Sequence, residues 1–411
     1  MPVSPTRRVT VIGTWGGSEQ ESFLAMVKPF EDRTSIDVQY TGTRDLNAVL
    51  TTGVASGVLP DLAGLPGPGQ MAEYAGLGVL VDLSTVLDVD TYTSETSSGL
   101  VDLGTVDGKI VAVFIKAAVK GLIWYNPNVY SGGVPTSWDD TGAKAASAAT
   151  GSTKPWCVGL ESGAASGWPG TDWIEDFVLR QSGGDVYDKW VAGTQTGSSA
   201  EIKSAFEAFG AVIQDASGGS DAVLTTNFGD GGNGLFTDPP ACVFHHQASF
   251  MTDFFKNQGG AQDGEFDFFL MPDLNSEFAG SVTGAGDLFG MFHDTPQARE
   301  LMKYLVTAEA QAIWVGRGGA LSASKSVTTY PDDISQRSGE ILGNAKIFRE
   351  RACYCVARHL PVPVRLERPA RRPRVPGAAN APNLPLTVLV ANLSNSLGGE
   401  WHYLRRPRSS R

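Results

Sequence analysis

The first 65 residues alternate between two hydrophobic periods. Residues 8–14 (RVTVIGT) run into an apolar stretch ending near a glycine, which predicts a buried strand. Ser18-Glu19-Gln20-Glu21 then opens a helix reaching Phe30, with Phe23, Leu24, Met26, Val27 and Phe30 apolar. Residues 36–40 alternate as a second strand, 45–54 read as a second helix, and 61–65 as a short third strand. This β-α-β-α-β order predicts an α/β fold with a parallel sheet and helices on its faces. Ligands of such sheets bind beyond the carboxyl ends of the strands. Those ends are Thr14-Trp15-Gly16-Gly17, Thr41-Gly42-Thr43-Arg44 and Leu65-Pro66-Gly67-Pro68, an aromatic, an arginine and open glycine loops.

Two further apolar strands are predicted at 110–115 and 121–125. Lys116-Ala117-Ala118-Val119-Lys120 lies between them and suits a hinge leading from one sheet to another. Helices are expected from Trp138, over 172–181 and over 201–212. Strands are expected at 241–244, running into His245-His246-Gln247, and at 266–271, stopped by Pro272. Residues 296–314 read as one long helix. No internal repeat is visible. A chain of 411 residues favours two lobes over one core.

Charge sharpens this picture. The net charge of −12 disfavours nucleic acid and anionic membranes as partners and suits a receptor for a neutral ligand. From residue 350 onward there are 11 arginines, no lysine and 3 glutamates, and no aspartate follows Asp333. This atypical Arg/Pro-rich tail reads as an out-of-frame translation or a disordered basic extension. Its Cys353 and Cys355 have no matching cluster and make no metal site. No run of 18 apolar residues exists, and the N-terminus carries no apolar signal-peptide core. Cys157 and Cys242 sit in similar Pro-containing settings; a disulfide between them would imply an oxidising compartment, and two buried free thiols are the alternative.

An ordered set of segments resembles the extracellular solute-binding proteins of carbohydrate ABC transporters, above all those that bind α-glucosides. It comprises Thr14-Trp15-Gly16-Gly17-Ser18-Glu19, Pro60-Asp61-Leu62-Ala63-Gly64-Leu65-Pro66, Gly121-Leu122-Ile123-Trp124-Tyr125-Asn126-Pro127, Gly159-Leu160-Glu161-Ser162-Gly163, the run from Gly167 to Asp176, His246-Gln247-Ala248-Ser249-Phe250 and Gly284-Ala285-Gly286-Asp287-Leu288. The resemblance implies two α/β lobes joined by crossing hinge strands, with ligand in the cleft between them. Lobe one would hold residues 8–120 and 281–320, lobe two 121–280 and 321–349. It further implies a periplasmic or extracellular monomer, membrane-associated in its precursor, with a carbohydrate ligand, permease subunits as partners and no cofactor. The pattern stops near residue 349, which puts the closing helices of lobe two in question.

A sugar receptor needs aromatic plates for C–H faces and charged or amide side chains for hydroxyls. Trp168 and Trp173 are candidate plates, with Asp172 as hydroxyl acceptor between them; Trp173 could instead face its helix core. Trp15 follows the first strand and is placed in the cleft, near Gly17. Glu19 either accepts hydroxyl protons or caps its helix. Arg44 and Asp45 either grip hydroxyls or pair with each other. Lys116 sits at the hinge, and one of Trp124 and Tyr125 is expected to touch ligand. Pro66, His246, Gln247, Gly286, Asp287 and Arg317 complete the set, with Asp287 in a glycine loop. His245 and His246 do not make a metal site, because no further ligand stands at suitable spacing. Glycoside hydrolysis, the enzyme alternative, requires two opposed carboxylates that nothing in the sequence pairs. A truncated, non-binding paralogue is the third reading, raised by the tail.

Overall fold

The computed structural model describes residues 7–65 and 68–350. Pro66 and the Arg/Pro-rich tail, with Cys353 and Cys355, lie outside the described residues.

The N-terminal alternation folds as its pattern predicts. Strand β1 (Arg8–Gly13), helix α1 (Gly17–Thr34), β2 (Asp37–Gly42), α2 (Leu46–Ser56) and β3 (Leu62–Leu65) succeed one another, and β1 pairs in parallel with both β2 and β3. Short helices α3 (Pro68–Gly76), α4 (Val89–Glu95) and α5 (Ser98–Leu103) and the small hairpin β4 (Thr105–Val106) and β5 (Lys109–Ile110) lead to β6 (Ala112–Val119). The chain then crosses into β7 (Leu122–Tyr125), α6 (Trp138–Ala148), β8 (Lys154–Cys157), α7 (Trp168–Val191), α8 (Ala200–Gln214), α9 (Gly219–Thr225), β9 (Cys242–Gln247), α10 (Met251–Asn257) and β10 (Asp267–Leu270). It returns through β11 (Ser281–Met291), then α11 (Pro296–Leu305), α12 (Ala308–Arg317), α13 (Asp333–Asn344) and β12 (Ile347–Glu350).

Two sheets organise two lobes. The first runs β12-β11-β3-β1-β2, with β6 on the other side of β11; the second runs β10-β7-β9-β8. Both are mixed rather than purely parallel, because β11 runs antiparallel to β3 and β6, and β7 antiparallel to β9 and β10. Each lobe has its own core. Val11, Phe23, Phe30, Phe289 and Trp314 fill the first; Trp173, Phe177, Phe209 and Phe244 fill the second.

The crossing is made by Gly121 (φ 70°) between β6 and β7. A Cβ there would lie 2.8 Å from the Asp176 carboxylate, so the turn needs both the left-handed backbone and the missing side chain. β11 crosses in the opposite direction.

Two expectations are corrected. Residues 296–314 form two helices, because the Thr307 hydroxyl accepts from the Ala310 N–H at 3.2 Å and starts α12 afresh. Residues 284–288 are strand and not loop. A Cβ on Gly286 would meet Phe114 at 2.2 Å, so that glycine admits a neighbouring ring rather than a ligand. At the C-terminal end of the described chain, β12 pairs in parallel with residues 281–284 of β11 in the six-stranded sheet, while α13 before it packs on lobe two, where Arg337 pairs with Asp267. Arg349 at the end of β12 grips Asp188 of α7 with two bonds of 2.6 and 2.7 Å. The last described segment thus straps the hinge region. Cys157 and Cys242 are joined by a disulfide that ties β8 to β9.

Candidate functional site

Two charged clusters stand where the lobes approach one another, one on each. In the first, Lys116 lies on β6 directly opposite Asp287 on β11, where the register shifts by a bulge. Its ammonium bonds Glu19 at 2.7 Å and Asp287 at 3.3 Å, with only 5% of the side chain exposed. Burial works against this charge, but the two carboxylates outweigh it and hold the lysine above its ordinary pKa. Glu19 stands in the first turn of α1, where the helix dipole favours an anion. Arg44, from the end of β2, approaches Glu19 at 3.9 Å. The Trp15 indole N–H donates to Asp287 at 3.1 Å.

The second cluster lies in the other lobe. Lys120, at the crossing itself, bonds Asp172 at 2.5 Å, and both side chains are almost wholly buried. The Lys120 ammonium lies 4.6 Å from the Trp168 ring centre and 5.3 Å from that of Phe250, within cation–π range. Phe228 packs edge-on to Trp168 at 5.1 Å. The Oδ1 atom of Asp172 and the Ser162 hydroxyl are buried without a protein partner. Polar atoms so placed are satisfied by whatever fills the space before them.

The two clusters bring together Trp15, Glu19, Arg44, Lys116 and Asp287 on one side, and Trp168 and Asp172 on the other. Gly17 (φ 56°) begins α1 beside the first. Arg317 ends α12 and donates to Ser22 at 3.1 Å. Asp45 is exposed at the start of α2, and Arg44 reaches Glu19 instead of it.

Other candidates are drawn away. Trp15 is 2% exposed: its ring folds back onto Phe23, Tyr40, Phe289 and Trp314, so it braces Asp287 and offers no open plate. Trp173 is 1% exposed and stacks on His246 at 4.0 Å inside the lobe-two core. Trp124 is fully buried and donates to the Gln247 carbonyl, while Tyr125 bonds Asp267. Burial and that neighbouring carboxylate push the Tyr125 phenol up to about 12. His246 bonds Asp176 at 2.7 Å, and the Gln247 amide oxygen accepts from the Ala248 N–H. Because successive strand residues point to opposite faces, His245 turns away and donates from Nδ1 to the Cys157 carbonyl at 2.9 Å. Among the described residues, no group of three side chains is arranged to hold a metal ion.

Sequence reasoning missed Lys120, Phe228 and Phe250 beside these clusters. Lys120 had a readable signal: a lysine directly after a strand that is apolar except for Lys116 needs a buried partner. Phe228 had none, since it approaches Trp168 only through the fold.

Two α/β lobes joined by crossing strands, with a charged cluster on each, are the architecture of a two-lobed solute-binding protein. Sequence comparison agrees with that class. The chain belongs to the bacterial extracellular solute-binding protein family, whose sequence model matches residues 16–312. It is 36% identical over 351 residues to the osmoprotective compounds-binding protein of Synechocystis sp., covering 84% of this chain and 83% of that one. It is 35% identical over 359 residues to the alpha-glucosides-binding periplasmic protein of Rhizobium meliloti, covering 83% and 78%. The fold is shared with a chitin oligosaccharide binding protein, at a TM-score of 0.73 and 17% identity over 85% of this chain and 89% of that one. Among the described residues, no helix is long and apolar enough to cross a membrane.

Proposed function

We propose that this protein is the sugar-capturing component of an ABC importer, taking an α-glucoside or a comparable small oligosaccharide between its lobes. The supporting observation is the charge balance of the two clusters. Lys116 and Arg44 face Glu19 and Asp287, two cations against two carboxylates, and Lys120 faces Asp172, so the site offers many directional hydrogen-bonding groups and little net charge. That arrangement suits a neutral polyhydroxylated ligand and penalises an ion, whose charge would displace an existing partner. Glu19, Lys116, Asp287 and Asp172 take the hydroxyls, and Trp168 takes a C–H face. Ligand contacts to both lobes stabilise the closed form, which permease subunits then recognise. The receptor works outside the cytoplasmic membrane as a monomer and carries out no catalysis.

Support for the α-glucoside assignment comes from the 35% identical relative that bears that name. The 36% identical relative favours a second reading, an osmoprotective compound. Isothermal titration against maltose, trehalose and sucrose tests the proposal. Silence across all three refutes the α-glucoside assignment, and release of a chromophore from a nitrophenyl α-glucoside refutes the non-catalytic one.

A further inference from the structure

The lobes also touch each other. Arg44 and Ser18 follow β2 and β1 of the six-stranded sheet, whereas Phe228 and Asp253 flank β9 of the four-stranded sheet. The Arg44 guanidinium lies 4.9 Å from the centre of the Phe228 ring. Its Cβ is 3.6 Å from where a side chain on Gly163 would begin, so the two backbones are in close approach. Glu161 stands on the same lobe-two loop. Its carboxylate accepts from the Gly163 N–H at 2.5 Å and from Asn227 at 2.7 Å. Those bonds, and then the nearby charge of Arg44, hold its carboxyl below the ordinary range. At a second point the Ser18 hydroxyl bonds the Asp253 carboxylate across the lobes. Asp253 faces Glu19, Lys116 and Arg317 from lobe one, and the Gly319 backbone packs against its Cβ.

We propose that Arg44 and Asp253 form an inter-lobe latch, which stabilises the closed arrangement by protein–protein contact and sets affinity for every ligand by a common factor. The physical argument concerns what each group is already bonded to. Arg44 is held between Glu19 and an aromatic face of the opposite lobe, and Asp253 between a hydroxyl and the charges of lobe one. Side chains so engaged act on the open–closed equilibrium. Apparent affinity then scales with the fraction of molecules that are binding-competent. The inference rests on the cleft proposed above as the binding site, but its first test needs no ligand.

Small-angle scattering of the full chain without sugar compares the parent with Arg44→Ala, Asp253→Ala and Phe228→Leu. The last keeps apolar bulk and guards against a misfolded variant. Each is expected to expand the radius of gyration, and Arg44→Ala/Phe228→Leu to expand it no further than Arg44→Ala, because both remove one contact. Unchanged radii in all three variants overturn the latch, whatever ligand the protein takes. Titration with maltose, trehalose and sucrose is the second arm. Every sugar that binds the parent is expected to weaken by the same roughly three- to tenfold, the size of one partly desolvated cation–π contact. A loss that differs from sugar to sugar makes these residues direct ligand contacts and overturns the proposal. If none of the three sugars binds, the sugar assignment fails while the scattering result still decides the latch.

Discussion

Replacing Lys120 with methionine leaves the Asp172 carboxylate facing Trp168 and Phe250 without its cation. The side chains are 3% and 1% exposed, so water cannot take over the lost role. One Asp172 oxygen already lacks a protein partner, and the substitution strips the other as well. Removing one member of a buried pair costs about 3–5 kcal/mol, most of it the penalty of an uncompensated charge. For a chain of 411 residues that is a fall of roughly 4–6 °C in melting temperature. The decisive control is Lys120→Met/Asp172→Asn, which removes the charge with the partner and should recover more than half of the loss. Differential scanning calorimetry on the three proteins reads the effect. The reasoning is refuted if Lys120→Met melts within 2 °C of the parent, or if the double variant is no more stable than the single one.

The two tryptophans of α7 should separate. Trp173→Ala removes a core ring and should cost about 3–5 kcal/mol in urea unfolding, whereas Trp168→Ala, at the cleft end of the helix, should lower sugar affinity in titration with a smaller stability loss. Burial pushes His245 down to about 4, so the folded ring is neutral while the unfolded one protonates near 6.5. The folded pKa is the lower of the two. The stability is therefore complete above about pH 6.5 and lost as pH falls toward 4, by roughly 3 kcal/mol, a slope that His245→Gln should flatten in denaturant midpoints across that range. The disulfide closes a loop of 85 residues, so Cys157→Ala/Cys242→Ala should lower unfolding stability by roughly 4–5 kcal/mol on the chain-entropy account.

The sequence by itself determined the alternating strands and helices of residues 8–65, because periodicity, caps and glycine stops act within a few residues of one another. It also singled out Lys116, Glu19, Asp172 and Asp287, which the fold gathers into two ion-paired clusters. Only the tertiary structure decided which way the aromatics turn. Trp15 and Trp168 both stand at the edge of an apolar run, yet Trp15 closes over Phe23 and Phe289 while Trp168 lies beside Lys120. Burial depends on what the opposite element supplies, and that element is distant in sequence. The same holds for the glycines of β11, which look like a loop until Phe114 fills the space before Gly286. Lys116 and Lys120 show it most directly. They are four residues apart on one crossing segment, but the first is neutralised by Glu19 and Asp287 of one lobe and the second by Asp172 of the other. A buried ammonium must find an anion, which local sequence can foretell; which anion it finds is fixed only when two lobes, built from separate stretches of chain, are folded together.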